Sequence, residues 1–96
     1  EPAAEIDTAP YMGVWYDADG NWLMTTREYH ISAVPQAIMY ALSTDLEYGS
    51  ARIEDNEVEY YQTPSDNFYR FDVIHNGRDM EIDVTEMGVV TPARKI

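Results

Sequence analysis

Cysteine is absent from the 96-residue sequence, and only two histidines occur, His30 and His75. The absence of cysteine excludes a disulfide framework, a thiol nucleophile and a zinc site with cysteine ligands. His75 has no second histidine at ligand spacing, and we expect it to be an exposed residue beside a tight turn. None of the serines lies in a G-x-S-x-G turn, so a Ser–His triad is not indicated. We therefore expect a protein that is not an enzyme and has no cofactor and no metal site.

Basic residues are scarce: six stand against eighteen acidic residues, which gives a formal net charge of −12. Such a balance argues against a nucleic-acid-binding role, because phosphates would be repelled rather than neutralised. It also disfavours docking on anionic lipid. No apolar run approaches the ~20 residues of a membrane-spanning helix, so we expect no membrane insertion.

Turn residues and apolar periodicity divide the chain into a flexible start, two hairpins, one helix and one connecting strand. The connecting strand is irregular near Asp55-Asn56, because Ile53 is out of phase with Val58. The predicted ranges are 1–10 for the flexible segment, 11–29 for the first hairpin, 33–46 for the helix, 51–62 for the strand and 68–87 for the second hairpin.

The second hairpin is the clearest element, since Asn76-Gly77 is the usual pair of a two-residue type I′ turn. That turn sets the register and places one continuous apolar face on the two strands. We expect the helix to pack on this face together with Val58 and Tyr60. The apolar pairs are Tyr69 with Val84, Phe71 with Ile82 and Val73 with Met80, and the helix stripe is Val34, Ile38, Ala41, Leu42 and Leu46.

The first hairpin turns at Asp19-Gly20, which predicts the pairs Tyr16–Leu23 and Trp15–Met24. Both of its faces carry large apolar side chains. We therefore expect this hairpin to be covered, at least in part, on both sides.

The order of elements predicts an α+β fold. It consists of an antiparallel sheet of about five strands, in the order β-β-α-β-β-β, covered on one face by a single helix. We expect one domain over residues 11–90, followed by a C-terminal tail over 91–96.

Two short patterns resemble a known family. They are the D-x-D-G-x-W hairpin of residues 17–22 with the Val34-Pro35 helix start, and the Tyr69-x-Phe71-x-Val73 strand with its partner Met80–Val84. Together they resemble, over about residues 14–90, the PepSY-like family of secreted and periplasmic Bacteroidetes proteins, whose fold is similar to the repeats of beta-lactamase inhibitory protein. The resemblance implies an envelope or secreted location, no enzymatic activity and an inhibitor-like or ligand-binding role. Members usually carry two repeats, which leaves open a truncated chain or a swapped or dimeric assembly.

The turn of the first hairpin imitates a calcium loop. Asp17, Asp19, Asn21 and Glu28 stand at offsets 1, 3, 5 and 12, the ligand positions of an EF-hand. An EF-hand needs glycine at offset 6, where Trp22 stands, and its flanks are helices rather than strands. We expect a plain turn, while a looser carboxylate site for a divalent cation stays open.

The face of the sheet away from the helix is the candidate binding site. We name it the open face and expect it to bind a protein or peptide of cationic character, since acids outnumber Arg70 and aromatic side chains serve as interface anchors. Two other hypotheses stay open, an assembly module or homodimer that pairs through the N-terminal hairpin and a weak divalent-cation binder. The open face consists of Glu59, Tyr61, Phe68, Arg70, Asp72, Glu81 and Asp83.

Overall fold

A computed structural model describes residues 12–94, so the flexible segment predicted over 1–10 lies outside the described residues. The elements are β1 Met12–Tyr16, β2 Trp22–His30, a short 3-10 turn Ile31–Ala33, α1 Gln36–Ser43, β3 Arg52–Ile53, β4 Glu57–Gln62, β5 Asn67–His75, β6 Arg78–Thr85 and β7 Val90–Pro92.

The strands form one antiparallel sheet in the order β1-β2-β4-β5-β6-β7, with β3 paired to β5 beyond the end of β4. The α+β class is therefore as predicted, but the sheet has two more strands than expected. One is β3, because the irregularity near Asp55-Asn56 divides the predicted strand into two. The other is β7, which pairs with β6 and takes in Thr91 and Pro92, two residues assigned to the C-terminal tail.

The helix is shorter than the apolar stripe predicted. Pro35 stands at the N-cap position before Gln36, where its side chain makes no capping hydrogen bond, and the helix ends at Ser43. The hydroxyl of Thr44 donates to the carbonyl of Tyr40 at 2.7 Å, and the carboxylate of Asp45 accepts the next amides, so the backbone turns away. Leu46, predicted as the last residue of the stripe, is consequently fully exposed, at 105% of its reference area.

The core lies between α1 and the central strands, as the register predicted. Val34, Ile38 and Leu42 of the helical region are buried against it, while Met80 is only partly buried. Because the alternate residues of β4, β5 and β6 all point to this face, the sheet and helix seal it from water. The buried strand residues are Val58, Tyr60, Tyr69, Phe71, Val73, Ile82 and Val84.

The first hairpin departs from its predicted environment. Trp15 pairs with Met24 as expected, but Tyr16 pairs with Trp22, because Leu23 is an extra residue that forms a bulge. Within the described residues, β1 contributes nothing to the buried core. Trp15 is 52% and Tyr16 60% exposed, so the cover that was expected at least in part on both faces reaches only about half of these side chains.

Candidate functional site

The register of the open face is confirmed. Arg70 lies opposite Asp83 and Asp72 opposite Glu81, while Tyr61 lies opposite Phe68 on the neighbouring strand pair. The Asn-Gly turn is responsible, since Asn76 and Gly77 both adopt the positive φ angles, 53° and 76°, that a type I′ turn requires. The predicted residues therefore do share one face of the sheet.

Three of these residues are nevertheless buried, which contradicts the expectation of an accessible face. Phe68 is 1%, Tyr61 9% and Asp83 0% exposed. The rings of Tyr61 and Phe68 stack with centroids 4.9 Å apart and planes within 6°. The guanidinium carbon of Arg70 lies 4.7 Å from the centroid of the Tyr61 ring, so its charge covers that ring.

A residue beyond β7 completes the cover. Arg94 places its guanidinium carbon 4.2 Å from the centroid of the Phe68 ring, and its Nη1 lies 3.0 Å from Asp66 Oδ2. Its backbone N–H donates to Asp83 Oδ2 at 3.0 Å, and its carbonyl accepts from Arg70 Nη2 at 2.8 Å. We call Tyr61, Phe68, Arg70, Asp83 and Arg94 the arginine clamp.

The Arg70–Asp83 pair is the centre of the clamp. Arg70 Nε and Nη2 donate to the two oxygens of Asp83 at 2.7 and 3.0 Å, a bidentate geometry that raises the pKa of the Arg70 guanidinium. Because Asp83 is fully buried, this is a structural ion pair rather than the exposed pair that the sequence suggested. Arg94 was missed because it falls in the segment assigned to the tail; the signal in the sequence was a second arginine close after the hairpin.

The acids that remain accessible are fewer than predicted. Glu81 is exposed, and Glu59 and Asp72 are half-buried. Partial burial, followed by the charges of Asp72 and Glu59, raises the pKa of the Glu81 carboxyl, although Arg70 opposes the shift. The open face thus keeps a negative potential but has lost its aromatic anchors to the clamp. Its cationic partner stays a prediction.

The carboxylate of Asp17 accepts hydrogen bonds from within the turn of the first hairpin. Asp17 Oδ1 accepts the backbone N–H groups of Asp19 and Asn21, both at 2.9 Å, and Asn21 Nδ2 donates to Asp17 Oδ2 at 3.1 Å. These hydrogen bonds, above all that from the Asn21 amide, lower the pKa of Asp17. Glu28 lies in β2 opposite Glu59. Among residues 12–94, no three or more His, Asp or Glu side chains are grouped so that they could hold a metal ion. The looser cation site stays a prediction.

His75 differs from its prediction. It is half-buried rather than exposed, with Nε2 2.9 Å from the carbonyl oxygen of Glu47. Its ring also packs edge-on against Tyr48, with centroids 5.0 Å apart. These contacts fasten the segment after α1 to the end of the second hairpin, which is a structural role.

Among the described residues, the first hairpin carries the most exposed large apolar side chains. Exposed large side chains occur elsewhere only singly or in neighbouring pairs, as at Tyr40 and Met87. At its turn end the hairpin borders a groove of about 410 Å³, whose far wall is Phe68 and Arg94 of the clamp. We name the exposed set the hairpin surface: Met12, Val14, Trp15, Tyr16, Trp22 and Leu23.

A comparison with protein-family models finds no match for this chain. A segment of 48 residues, half of the chain, is 44% identical to a protein of Borreliella burgdorferi named probable lipid II flippase MurJ. The chain spans only a tenth of that protein's length, so the similarity establishes no family and no activity here. In the described residues, no helix has the length and apolar character needed to cross a membrane.

Proposed function

We propose that this chain is a non-catalytic protein-binding domain and that it binds through the hairpin surface rather than through the open face. The observation that carries the proposal is the contrast in exposure. Phe68 and Tyr61, the aromatic anchors predicted for the open face, are buried beneath arginines, whereas Trp15 and Tyr16 are more than half exposed. Exposed large apolar side chains gathered at one edge of a sheet, here on both faces of the first hairpin, are typical of interaction sites.

The backbone of β1 supports the same proposal. Within residues 12–94, β1 pairs with β2 on one side only, so its other side presents unpaired N–H and C=O groups. Proteins usually protect such edges with lysine, proline or a very short strand. The opposite edge strand, β7, is three residues long and contains Pro92. In contrast, β1 is five residues long and contains neither lysine nor proline. An extended segment of a partner can therefore add to β1 as a further strand.

The proposed location is the envelope or the exterior of the cell, with an inhibitor-like role as one form of binding. These two points rest on the resemblance to PepSY-like proteins alone, and fold-level analogy does not by itself assign a function. The hairpin surface supports binding without favouring inhibition over any other consequence of binding.

A library of synthetic extended octapeptides, screened by fluorescence anisotropy against dilute protein, tests the proposal. We expect peptides with alternating apolar residues to bind, and Val14→Lys in β1 to abolish their binding by placing a charge at the added strand. Thr91→Lys in the opposite edge strand β7 is the matched control and should leave binding unchanged. If peptides bind Val14→Lys as well as the unchanged protein, but no longer bind Glu81→Gln, the binding site lies on the open face.

A further inference from the structure

We infer that the strand that adds to β1 is β1 of a second copy of this chain, so that two sheets join into one across a two-fold axis. This inference rests on the proposed function and names its partner. Three features of the described residues carry it: the neutrality of β1, the sizes of the side chains that would face one another, and the exposed apolar side chains of β1.

Neutrality is the first feature. The chain carries a net charge of −12, yet Met12–Tyr16 contains no charged residue. A two-fold interface brings the same patch of both copies together, so a charge near the axis would lie close to the identical charge of the second copy and be repelled by it. An uncharged edge strand satisfies this condition, and the nearest charged residues along the sequence, Asp7 before it and Asp17 after it, lie outside the strand.

Complementary size is the second feature. If the axis passes Val14, antiparallel pairing sets Gly13 opposite Trp15 of the second copy and Met12 opposite Tyr16. A Cβ on Gly13 would lie 3.4 Å from Nε1 of its own Trp15, so an indole already packs against this backbone. Pairing the smallest residue with the largest leaves room for both indoles, and aromatic cover of an edge glycine is a recognised way to stabilise strands. Methionine sulfur also packs favourably against an aromatic ring.

The exposed apolar side chains of β1 are the third feature. Edge pairing covers only part of the exposed Met12, Val14, Trp15 and Tyr16 side chains on each copy, because Trp22 and Leu23 lie on β2, away from the new edge. The buried area is therefore smaller than that of a standard interface. A standard interface buries about 800 Å² on each partner. Backbone hydrogen bonds between the two β1 strands add polar contacts to this apolar area. We expect a dimer with a dissociation constant on the order of micromolar.

The charge of the remaining chain gives the dimer a diagnostic salt dependence. Two copies that each carry −12 repel one another, and added salt screens that repulsion over a Debye length of about 8–10 Å. Self-association should therefore strengthen as the salt concentration rises. Binding of a cationic peptide to the same edge would instead weaken with salt.

Analytical ultracentrifugation across the micromolar range, in low and high salt, tests the inference. We expect a monomer–dimer equilibrium whose dissociation constant falls severalfold from about 0.02 to 0.5 M NaCl. Val14→Lys and Val14→Glu should each weaken the dimer by at least about tenfold, because like charges then meet at the axis. Mixing the two variants should restore a heterodimer, since residue 14 of one copy faces residue 14 of the other. Thr91→Lys should leave the equilibrium unchanged, and circular dichroism confirms that each variant folds.

Each other outcome overturns the inference. A chain that stays monomeric at every concentration, but still binds octapeptides in a Val14-dependent manner, has a foreign partner on β1, and the proposed function stands. A monomer that binds no peptide contradicts both the dimer and the proposed binding function. A monomer whose β1 amides resist hydrogen exchange has its edge covered by another segment of its own chain. A dimer lost on Thr91→Lys pairs through β7 instead.

Discussion

The two hairpins of this protein have similar sequences and opposite environments. Each has an aromatic-rich strand, a turn that contains glycine and a return strand with a methionine. The β5–β6 hairpin lies between β4 and β7, with α1 on one face and the arginine clamp on the other. Within residues 12–94, the β1–β2 hairpin has a neighbouring strand only beside β2, and β1 has no residue in the core that packs against α1. Position in the sheet, rather than composition, decides which aromatic residues are buried.

Their turns differ in how strictly they set the register. Asn76-Gly77 closes a two-residue turn, so the count of residues on each side leaves no freedom and every predicted pair of β5 and β6 is observed. The first turn is longer and is held by Asp17, which leaves room for the Leu23 bulge on the return strand. A sequence therefore predicts a strand pair best where its turn is shortest.

The largest expected effect comes from the core side of the second hairpin. Phe71 is fully buried, and Phe71→Ala should lower the free energy of unfolding by about 3–5 kcal/mol through lost transfer energy and a cavity. Small domains have only about 5–15 kcal/mol in total, so the variant should be close to unfolded in urea titration. Phe71→Leu, which keeps most of the volume, should lose less than half as much. An unchanged urea midpoint for Phe71→Ala would contradict the placement of this residue.

The clamp gives the next largest effect. Asp83→Ala should cost about 3–5 kcal/mol, because Arg70 would stay largely buried without its partner. Hydrogen exchange at β7 should accelerate as well, since the Arg94 backbone loses its acceptor on Asp83. Asp72→Ala, a half-buried acid on the neighbouring strand, is the control and should change stability by no more than about 0.5 kcal/mol. Equal effects of both substitutions would mean that Asp83 is solvated.

The first hairpin should tolerate the truncation of an aromatic side chain better than the second hairpin does. Trp15 is half exposed, so Trp15→Ala in dilute protein should lower the free energy of unfolding by less than about 1 kcal/mol, against the larger loss at Phe71. Urea titration followed by circular dichroism measures both under the same conditions. A loss at Trp15 as large as that at Phe71 would show that the hairpin surface is covered within the chain.

Periodicity and turn chemistry were enough to predict the core and the register of the open face from the sequence, because alternation and a two-residue turn are local properties. The clamp could not be predicted in this way. It depends on β7 adding to β6 and bringing Arg94 across to Asp83, eleven residues away along the chain. The sequence shows that Arg70 and Asp83 are partners, but their burial comes from a contact that no local pattern encodes. Exposure of the first hairpin was missed for a related reason, since it depends on the place of β1 at the edge of the described sheet, outside the core that packs against the helix.

The smallest expected effect is the response of the open face of the second hairpin to pH, measured at Glu81. The raised pKa of Glu81 means that the folded state binds its proton more tightly than the unfolded state. The resulting stabilisation is fully present below the ordinary pKa of 4.5 and is lost as the pH rises through the higher folded pKa. Glu81→Gln should therefore reduce the fall in melting temperature between about pH 4.5 and 7. The change should be worth well under ~1 kcal/mol, since solvent screens an exposed carboxylate. Calorimetry at matched ionic strength measures it, with Asp79→Asn on the same strand as the control. A steeper fall in the variant would show that Arg70, rather than Asp72 and Glu59, dominates the field at this carboxyl.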